Sequence, residues 1–281
     1  MNYRHAYHAG NFSDVVKHAL LTRLIAYLKR KDKAFRVFDT HAGRGRYNLK
    51  GEEANKTGEA ADGILRIAQN ADLRAEPLLE DYFAAVEEDL AEGFYPGSPL
   101  IARRCLRPGD RLSAYELHPE DSEALRALFA GDVQVKAIHL DAWLALGAHL
   151  PPKEKRGLVL IDPPFEKTSE VEDILSGLEK AVARWRGGVF AVWYPIKRQA
   201  MVDRLLEGLA HIAPQEAMSA EARFLKPDPR EDRLIGTGLA VINPPYTFRE
   251  EAQTILDLML PALRRDKSAT GRAFTLPRGA A

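Results

Sequence analysis

The chain has 281 residues, equal numbers of acidic and basic residues, 46% hydrophobic residues and one cysteine, Cys105. This composition is that of a globular protein, and the lone cysteine excludes an internal disulfide and a cysteine-rich zinc site. The length suits one large α/β domain, with or without an insertion. Because the chain has no run of 18 apolar residues and no apolar signal region at its start, we expect a cytoplasmic protein.

Charge is unevenly distributed along the first hundred residues. Residues 1–50 contain eleven lysines and arginines against three aspartates, whereas residues 51–100 contain three basic residues against twelve acidic ones. The asymmetry indicates either a basic end that faces a polyanion or two segments that pack together and neutralise each other. Charge alone leaves both interpretations open.

Hydrophobic periodicity predicts a helix followed by alternating strands and helices. The first helix is capped by Ser13 and runs to about Lys31, and a strand at 35–39 leads into a glycine turn. An acidic segment from about 52 to 92 then contains helical stretches. Further strands are predicted at 112–116, 133–140, 158–161, 189–194, 217–224 and 234–242. Further helices are predicted at 119–129, 170–184, 198–209 and 249–264, the last one bent at Pro261.

This alternation favours a mostly parallel sheet with helices on both faces, in which ligands bind beyond the carboxyl ends of the strands. An acidic side chain ends or follows each of the first four strands, at Asp39, Glu116, Asp141 and Asp162. The turn after Asp39 contains Gly43-Arg44-Gly45, which lacks the third glycine of a dinucleotide-binding loop. The shorter turn suits a ligand that carries adenosine but no phosphate.

The positions of these acids favour S-adenosylmethionine as the ligand. Glu116 is placed to bind both ribose hydroxyls, although it follows Gly43 by 73 residues instead of the usual roughly 20. An insertion at 50–97, between the first two strands, explains the longer spacing. Asp141 and Ala142 can bond the adenine amine, and an acid-lined cleft suits a cationic sulfonium.

Two tetrapeptides share one rare pattern, Asp162-Pro163-Pro164-Phe165 and Asn243-Pro244-Pro245-Tyr246. In the first, the Asp162 side chain and the Pro163 carbonyl can accept both hydrogens of an exocyclic amine, which favours a more pyramidal and reactive nitrogen. The prolines stiffen the loop, and stacking of a base on Phe165 is worth roughly 1–3 kcal/mol. Taken alone, such a motif can also be a proline-stopped strand with a buried phenylalanine.

The two copies differ in the strand that they follow. In the common methyltransferase sheet the seventh strand runs antiparallel to the others, so its carboxyl end lies opposite the cofactor. Asn243 follows that strand and is predicted to form a turn. Asp162 follows the fourth strand, beside the methyl group of the cofactor, and is predicted to be catalytic.

Further motifs occur in a fixed order along nearly the whole chain. An N-terminal block contains Tyr3-Arg4-His5, His8-Ala9-Gly10-Asn11, Asp14-Val15 and Lys17-His18. Later blocks are Asp39-Thr40-His41-Ala42-Gly43, Gly97-Ser98-Pro99, Tyr115-Glu116-Leu117-His118-Pro119, Ile161-Asp162-Pro163-Pro164-Phe165 and Val241-Ile242-Asn243-Pro244-Pro245. In this order they resemble the RlmJ family, the bacterial 23S rRNA (adenine(2030)-N6)-methyltransferases.

The resemblance implies a class I S-adenosylmethionine-dependent methyltransferase fold. This fold is Rossmann-like, with a seven-stranded, mostly parallel sheet whose last strand is antiparallel, and with a small helical insertion. It also implies N6-methylation of a specific adenine in 23S rRNA, in which Asp162, Pro163 and Phe165 are catalytic. Together with the strand ends, it predicts cofactor contacts from His18, His41, Gly43, Ser98, Glu116, Asp141, Ala142 and Asp162. RNA contacts are predicted for Tyr3, His5, Asn11, Lys17, Arg44 and Arg46.

Three alternatives stay open at this point. A DNA adenine methyltransferase would share the Asp-Pro-Pro-Phe motif, and a non-catalytic RNA-binding module would need no cofactor. A protein glutamine methyltransferase would carry its Asn-Pro-Pro-Tyr motif after the fourth strand, where this chain has the Asp copy. The spacing of His5, His8, His18 and His41 fits no standard zinc pattern, so we expect no metal, and we expect a monomer.

Overall fold

The computed structural model describes residues 8–51, 56–167, 169–227 and 233–277, so Tyr3 and His5 lie outside it. The strands are β1 (Arg36–Asp39), β2 (Arg46–Asn48), β3 (Phe94–Pro96), β4 (Arg111–Glu116), β5 (Val135–His139), β6 (Gly157–Ile161), β7 (Val189–Ile196), β8 (Ala217–Arg223), β9 (Gly236–Ile242) and β10 (Thr270–Thr275). The helices are α1 (Phe12–Lys29), α2 (Glu59–Asp62), α3 (Ile64–Ala68), α4 (Ala71–Arg74), α5 (Glu80–Glu92), α6 (Ser98–Cys105), α7 (Pro119–Leu128), α8 (Ala142–His149), α9 (Glu170–Arg184), α10 (Gln199–Ile212) and α11 (Phe248–Leu263). Within these ranges, no helix has the length and apolarity that crossing a membrane requires.

Eight strands form one sheet in the order β10-β8-β9-β7-β6-β1-β4-β5. Strands β5, β4, β1, β6 and β7 are parallel, β9 runs antiparallel between β7 and β8, and β10 runs antiparallel to β8 at the edge. The predicted mostly parallel sheet, with a reversed strand before Asn243, is confirmed. Strand β10 adds one strand to the predicted seven. It escaped prediction because it is a half-exposed edge strand without a continuous apolar run.

Helices cover both faces of the sheet, as the alternation predicted. Helices α1, α6, α7 and α11 pack on one face, and α8, α9 and α10 pack on the other. Strand β6 lies in the middle and is buried along its whole length, which is typical of a central parallel strand. This position puts Asp162, the next residue, at the centre of the carboxyl edge.

Helix α1 begins one residue before the predicted cap. Asn11 is the N-cap, and its side-chain oxygen accepts hydrogen bonds from the amides of Ser13 (2.9 Å) and Asp14 (3.0 Å). The prediction of Ser13 as the cap is therefore wrong, because Asn11 has the extended backbone that lets its side chain reach back over the first turn. The helix is buried on most sides, between the sheet, α6 and α11.

Helices α2 to α5 lie between β1 and β4, framed by a short antiparallel ribbon of β2 and β3. The ribbon was not predicted, because three-residue strands are too short to show periodicity. The helices of this insertion pack closely against the turn before α1. The amide of Ile64 donates to the carbonyl of Gly10 (2.8 Å), and a Cβ on Gly63 would lie 2.1 Å from that same oxygen. Only glycine therefore allows this approach at position 63.

Several basic residues of the first fifty pair with carboxylates of the same chain. Lys29 Nζ lies 3.1 Å from Asp81, and Arg46 pairs with Asp89 and Glu92. Further pairs are Arg23–Glu251, Arg30–Glu251, Arg36–Glu154 and Arg44–Asp121. For Lys29 and Arg46 the structure favours the interpretation that the basic and acidic segments neutralise each other.

Candidate active site

A cavity of about 590 Å³ opens at the carboxyl ends of β1, β4, β5 and β6. Its walls bring together ten of the residues predicted from the sequence to form the site. They are Lys17, His18, His41, Gly43, Ser98, Glu116, Asp141, Ala142, Asp162 and Pro163. This clustering supports the expectation that the residues after the first four strands form a single site.

Asp162 is held by a buried ion-pair cluster that the sequence did not predict. Lys17 Nζ lies 2.5 Å from Asp162 Oδ2 and 2.9 Å from Asp14 Oδ1. Burial lowers the pKa of Lys17, but the charges and hydrogen bonds of Asp14 and Asp162 outweigh it and raise that pKa well above its usual value. An ammonium between two carboxylates therefore forms the wall at this point. The signal in the sequence was the spacing of Asp14 and Lys17 by three residues, which puts them on one helix face.

Aromatic rings support the Asp162 loop. Phe165 has a left-handed backbone, with φ of 52°, and its ring meets Trp193 edge-on at a centroid distance of 5.7 Å. The Lys17 ammonium lies 5.7 Å from the centre of the Trp193 ring. Trp193 thus contacts both the lysine and the phenylalanine, and its place inside a predicted strand gave no hint of this role.

Glu116 fixes the glycine turn through backbone amides. Its carboxylate accepts from the amide of Gly43 (2.8 Å) and from the amide of His118 (2.7 Å). Gly43 has a φ of +58°, and a Cβ there would lie 2.2 Å from Tyr47 Oη. The turn therefore requires glycine at this position.

Asp141 and His18, two further residues predicted to bind the cofactor, also have structural partners. Asp141 caps α8, because its Oδ1 accepts from the amides of Trp143 and Leu144. His18 Nδ1 lies 2.8 Å from Tyr95 Oη, which in turn lies 3.2 Å from Tyr82 Oη in α5. Burial lowers the pKa of His41 to about 4, against the opposing charges of Asp162 and Asp141, so its ring is neutral near pH 7. Contacts of these residues with a cofactor stay predictions.

Asp39, the last residue of β1, is a buried acid next to this cluster. Ser98 and the His41 amide lie near its carboxyl group and lower its pKa, but neither reaches hydrogen-bond geometry, so both oxygens lack a partner among the described residues. Burial is the dominant effect and raises the pKa of Asp39 to about 7. The folded protein therefore holds a proton on Asp39 that the unfolded chain releases near pH 4.

The Asp39→Asn variant should gain stability relative to the wild type as the pH rises from 4 to 8. Below pH 4 Asp39 is protonated in both states, whereas above that value the unfolded chain loses its proton and unfolding becomes more favourable up to about pH 7. Asparagine has no such titration. Thermal unfolding of both proteins across this pH range measures the difference in stability, and Asp72→Asn, at an exposed position, is the control. If the stabilities of Asp39→Asn and the wild type changed in parallel with pH, the prediction would be wrong.

Three residues that were predicted to contact RNA make contacts within the protein instead. Asn11 is buried, caps α1 and donates through Nδ2 to Glu59 Oε2 (2.9 Å). Arg44 donates a hydrogen bond to Asp121. Besides its two ion pairs, Arg46 places its guanidinium carbon 3.9 Å from the centre of the Phe94 ring. None of the three lines the cavity, and neither does Phe165. Their contacts with RNA stay predictions.

The second proline motif lies at the opposite edge of the sheet. Asn243 follows the antiparallel β9, and its Nδ2 donates to the carbonyls of Arg186 (2.9 Å) and Gly188 (2.8 Å), just before β7 begins. Its backbone is left-handed, with φ of 55°. This location agrees with the predicted turn and separates Asn243 from Asp162 by the length of a strand.

Asn243→Ala should destabilise the fold by about 2–3 kcal/mol and leave the activity of the folded protein intact. The variant loses two side-chain hydrogen bonds and places alanine in a left-handed conformation. Asn243→Gly loses the same bonds without that strain, so it should be more stable than the alanine variant. Urea unfolding and methylation rates at low temperature test both. An Asn243→Ala protein that is folded but inactive would contradict the turn assignment.

Comparison with known proteins identifies the family. Residues 32–274 match the family described as ribosomal RNA large subunit methyltransferase D, RlmJ. The chain belongs to this family. Ribosomal RNA large subunit methyltransferase J of Escherichia coli K12 is 40% identical over 259 residues, which cover 91% of each chain. The protein of the same name from Haemophilus influenzae is 36% identical over 267 residues, covering 94% of each chain.

Solved structures agree with this membership. Protein LPL1258 from Legionella pneumophila has a TM-score of 0.86 and 34% identity, covering 96% of this chain and 99% of its own. A probable spermidine synthase from Corynebacterium glutamicum, at 11% identity and a TM-score of 0.52, shares the fold alone. The protein is thus a member of the RlmJ family with the class I methyltransferase fold, and its cofactor is S-adenosylmethionine. The acids around the cavity, beside Ala142 and Trp143, suit a cationic ligand that carries an adenosine.

Proposed function

We propose that this RlmJ family member transfers a methyl group from S-adenosylmethionine to the N6 amine of an adenine in 23S rRNA. The observation that carries the proposal is that Asp162 and Pro163 lie in the wall of the same cavity as Glu116 and Asp141. An acceptor pair for an exocyclic amine therefore lies beside the acids predicted to bind the cofactor. The names of the Escherichia coli and Haemophilus influenzae relatives support large-subunit ribosomal RNA as the substrate.

S-adenosylmethionine, when bound, supplies an electrophilic methyl group. The N6 amine of adenine is a poor nucleophile, because its lone pair is conjugated into the ring. The residues of the chain therefore have to position this amine. Lys17 occupies Asp162 Oδ2, which leaves Oδ1 and the Pro163 carbonyl to accept the two amine hydrogens. Proline has no backbone N–H, so at this loop it adds no donor that could compete with the amine for these acceptors. Positioning of this kind can supply much of the acceleration.

Lys17 acts in this proposal as a positioning residue. Its ammonium fixes one oxygen of Asp162, and Asp14 fixes the ammonium in turn. Because Lys17 is 3% exposed, its charge supports the partly buried carboxylate of Asp162 and is not presented to a phosphate. This assignment differs from the RNA contact predicted from the sequence.

The target adenine must leave its stack to reach Asp162, as in other base-modifying enzymes. Phe165 is part of the same loop and is held edge-on by Trp193. A ring fixed in this way can stack on the extruded base with little further loss of side-chain entropy. The amine then donates a hydrogen bond to Asp162, which orients it while the ring holds the plane of the base.

Incorporation of label from S-adenosylmethionine tests this function against the alternatives. Purified protein is incubated with transcripts of 23S rRNA and 16S rRNA and with duplex DNA, and the products are digested and analysed by mass spectrometry. We expect N6-methyladenosine in the 23S transcript alone. Label in duplex DNA would support a DNA methyltransferase, and calorimetry that shows no cofactor binding would support a non-catalytic RNA-binding module.

We further propose a monomer that acts in the cytoplasm as a single domain, 1–281, with a helical insertion at 50–97. The parts of the chain that the structure describes contain no group of three His, Cys, Asp or Glu side chains arranged to hold a metal. Light scattering at micromolar concentration tests the oligomeric state. Activity that survives a chelator tests the prediction that no metal is needed.

A further inference from the structure

The carboxyl edge of the sheet continues past Asp162 on the side away from the cofactor-binding acids. Beyond β6 come the ends of β7, β9, β8 and β10, at a spacing of about 5 Å per strand. The segments at this edge are tied together by backbone hydrogen bonds. Ile235 donates to Ile196 (2.9 Å), Phe224 donates to Ile235 (2.8 Å) and Arg265 donates to Phe224 (3.0 Å). The result is a continuous ridge that begins one strand from the catalytic loop.

Basic side chains stand on this ridge, which we name the carboxyl-edge rim. It comprises Lys197, Arg198, Lys226, Arg233 and Lys267, and all five are exposed. The hydrogen bond with Glu59 is the main effect that raises the pKa of His8, and the charge of Lys197 opposes that rise. Hydrogen bonds from Ser268 and Lys226 lower the pKa of Asp266, and the charge of Arg233 lowers it further. These effects place Lys197 near the segment before α1 and Arg233 near the end of α11.

Three lysines of the rim differ from the paired basic residues of the first fifty in how their charge is compensated. Among the described residues, no carboxylate lies within 4 Å of the ammonium of Lys197, Lys226 or Lys267, whereas Lys17, Lys29 and Arg46 are all paired. Two nearby acids within the described ranges have other partners. Glu221 is buried with Arg223 and Arg272, and Asp266 accepts backbone and hydroxyl bonds. Uncompensated, exposed lysines in a row attract a polyanion.

We propose that the carboxyl-edge rim binds the phosphodiester backbone of the RNA strand that flanks the target adenine. The inference rests on the proposed function. Predicted cofactor-binding residues lie at the carboxyl ends of β1, β4 and β5, so a strand that delivers a base to Asp162 must extend over the other half of the edge. The rim extends from about 5 to about 20 Å from β6, and this length corresponds to roughly four nucleotides of one strand at about 3.4 Å per nucleotide. The RNA contacts predicted from the sequence lie within residues 1–50 instead.

The test compares two double variants that carry the same change in charge. Lys197→Glu/Lys226→Glu reverses the rim, and Lys33→Glu/Lys153→Glu reverses two exposed lysines at the opposite edge, before β1 and β6. RNA affinity is measured by filter binding with a 23S rRNA transcript at several salt concentrations, and methylation rates are measured in parallel. Calorimetry with S-adenosylmethionine checks that each protein is folded. Lys197→Gln/Lys226→Gln serves if the glutamate variant does not fold.

We expect the rim variant to bind RNA at least tenfold more weakly than the wild type. Its affinity should also depend less on salt, with a slope of log affinity against log salt that is smaller in magnitude by about 1 to 2. Its KM for RNA should rise while kcat is largely kept, and the opposite-edge variant should resemble the wild type. Unchanged RNA affinity in the rim variant, or an equal loss in both variants, would overturn the proposal. If the wild-type protein bound RNA but transferred no methyl group, the proposed function would be refuted. The binding assay would still decide whether the rim binds RNA.

Discussion

Replacing Asp162 with alanine is expected to lower methyl transfer by about a thousandfold or more, while binding of S-adenosylmethionine largely survives. The variant removes a hydrogen-bond acceptor for the adenine amine, and losses of this size follow when one such positioned group is deleted. The fold should tolerate the change, because Lys17 keeps its second partner, Asp14, at 2.9 Å. Single-turnover methylation and calorimetry with the cofactor measure the two effects separately.

Asp162→Asn is the matched control for this result. Asparagine keeps the shape of the side chain and one acceptor oxygen but removes the negative charge beside Lys17. We expect it to retain more activity than alanine and less than the wild type. An alanine variant with near-normal rates would refute the role of Asp162 and return attention to the other cavity residues.

The Lys17→Met variant is expected to lose about 3–5 kcal/mol of stability and most of its activity. Asp14 and Asp162 would face each other in a buried wall without the ammonium that now lies between them, and an uncompensated buried charge has a cost of this order. Urea unfolding and methylation rates measure both losses. The double variant Lys17→Met/Asp14→Asn should recover much of the stability but not the rate, because Asp162 still lacks its partner.

Lys17→Met also separates the structural assignment from the one predicted from the sequence. A lysine that contacted RNA phosphate would, when replaced, raise the KM for RNA, reduce the salt dependence and leave stability unchanged. A lysine that supports Asp162 lowers kcat and stability instead. A stable Lys17→Met protein with only a raised KM would therefore contradict the ion-pair role.

The sequence predicted the arrangement of the cavity better than the partners of its side chains. Periodicity fixed the main strands, and the rule that ligands bind at their carboxyl ends was sufficient to group Glu116, Asp141 and Asp162. Strand direction also separated Asp162 from Asn243. These inferences succeeded because they depend on chain order and strand direction, which a single sequence carries.

The partners of charged residues could not be predicted in the same way. Lys17 and Arg46 were assigned to RNA, yet their carboxylate partners, Asp162 and Asp89, lie far away in sequence. A sequence reports the charge of each segment but not which surfaces face each other after folding. For the same reason the uncompensated lysines near β7 and β8 gave no signal, because they are scattered singly along the chain.

The close fit between Gly63 and Gly10 has a consequence for any attempt to build a smaller enzyme. The carbonyl of Gly10 accepts from Ile64 in the insertion, and the amide of Gly10 donates to Asp14 Oδ2 at 3.0 Å. Asp14 holds Lys17, and Lys17 holds Asp162. A shortened protein without helices α2 to α5 would thus keep every cavity acid but lose the support that sets the angle of Asp162, the carboxylate that holds the methyl-accepting amine. The accessory helices should accordingly be retained in a minimal design.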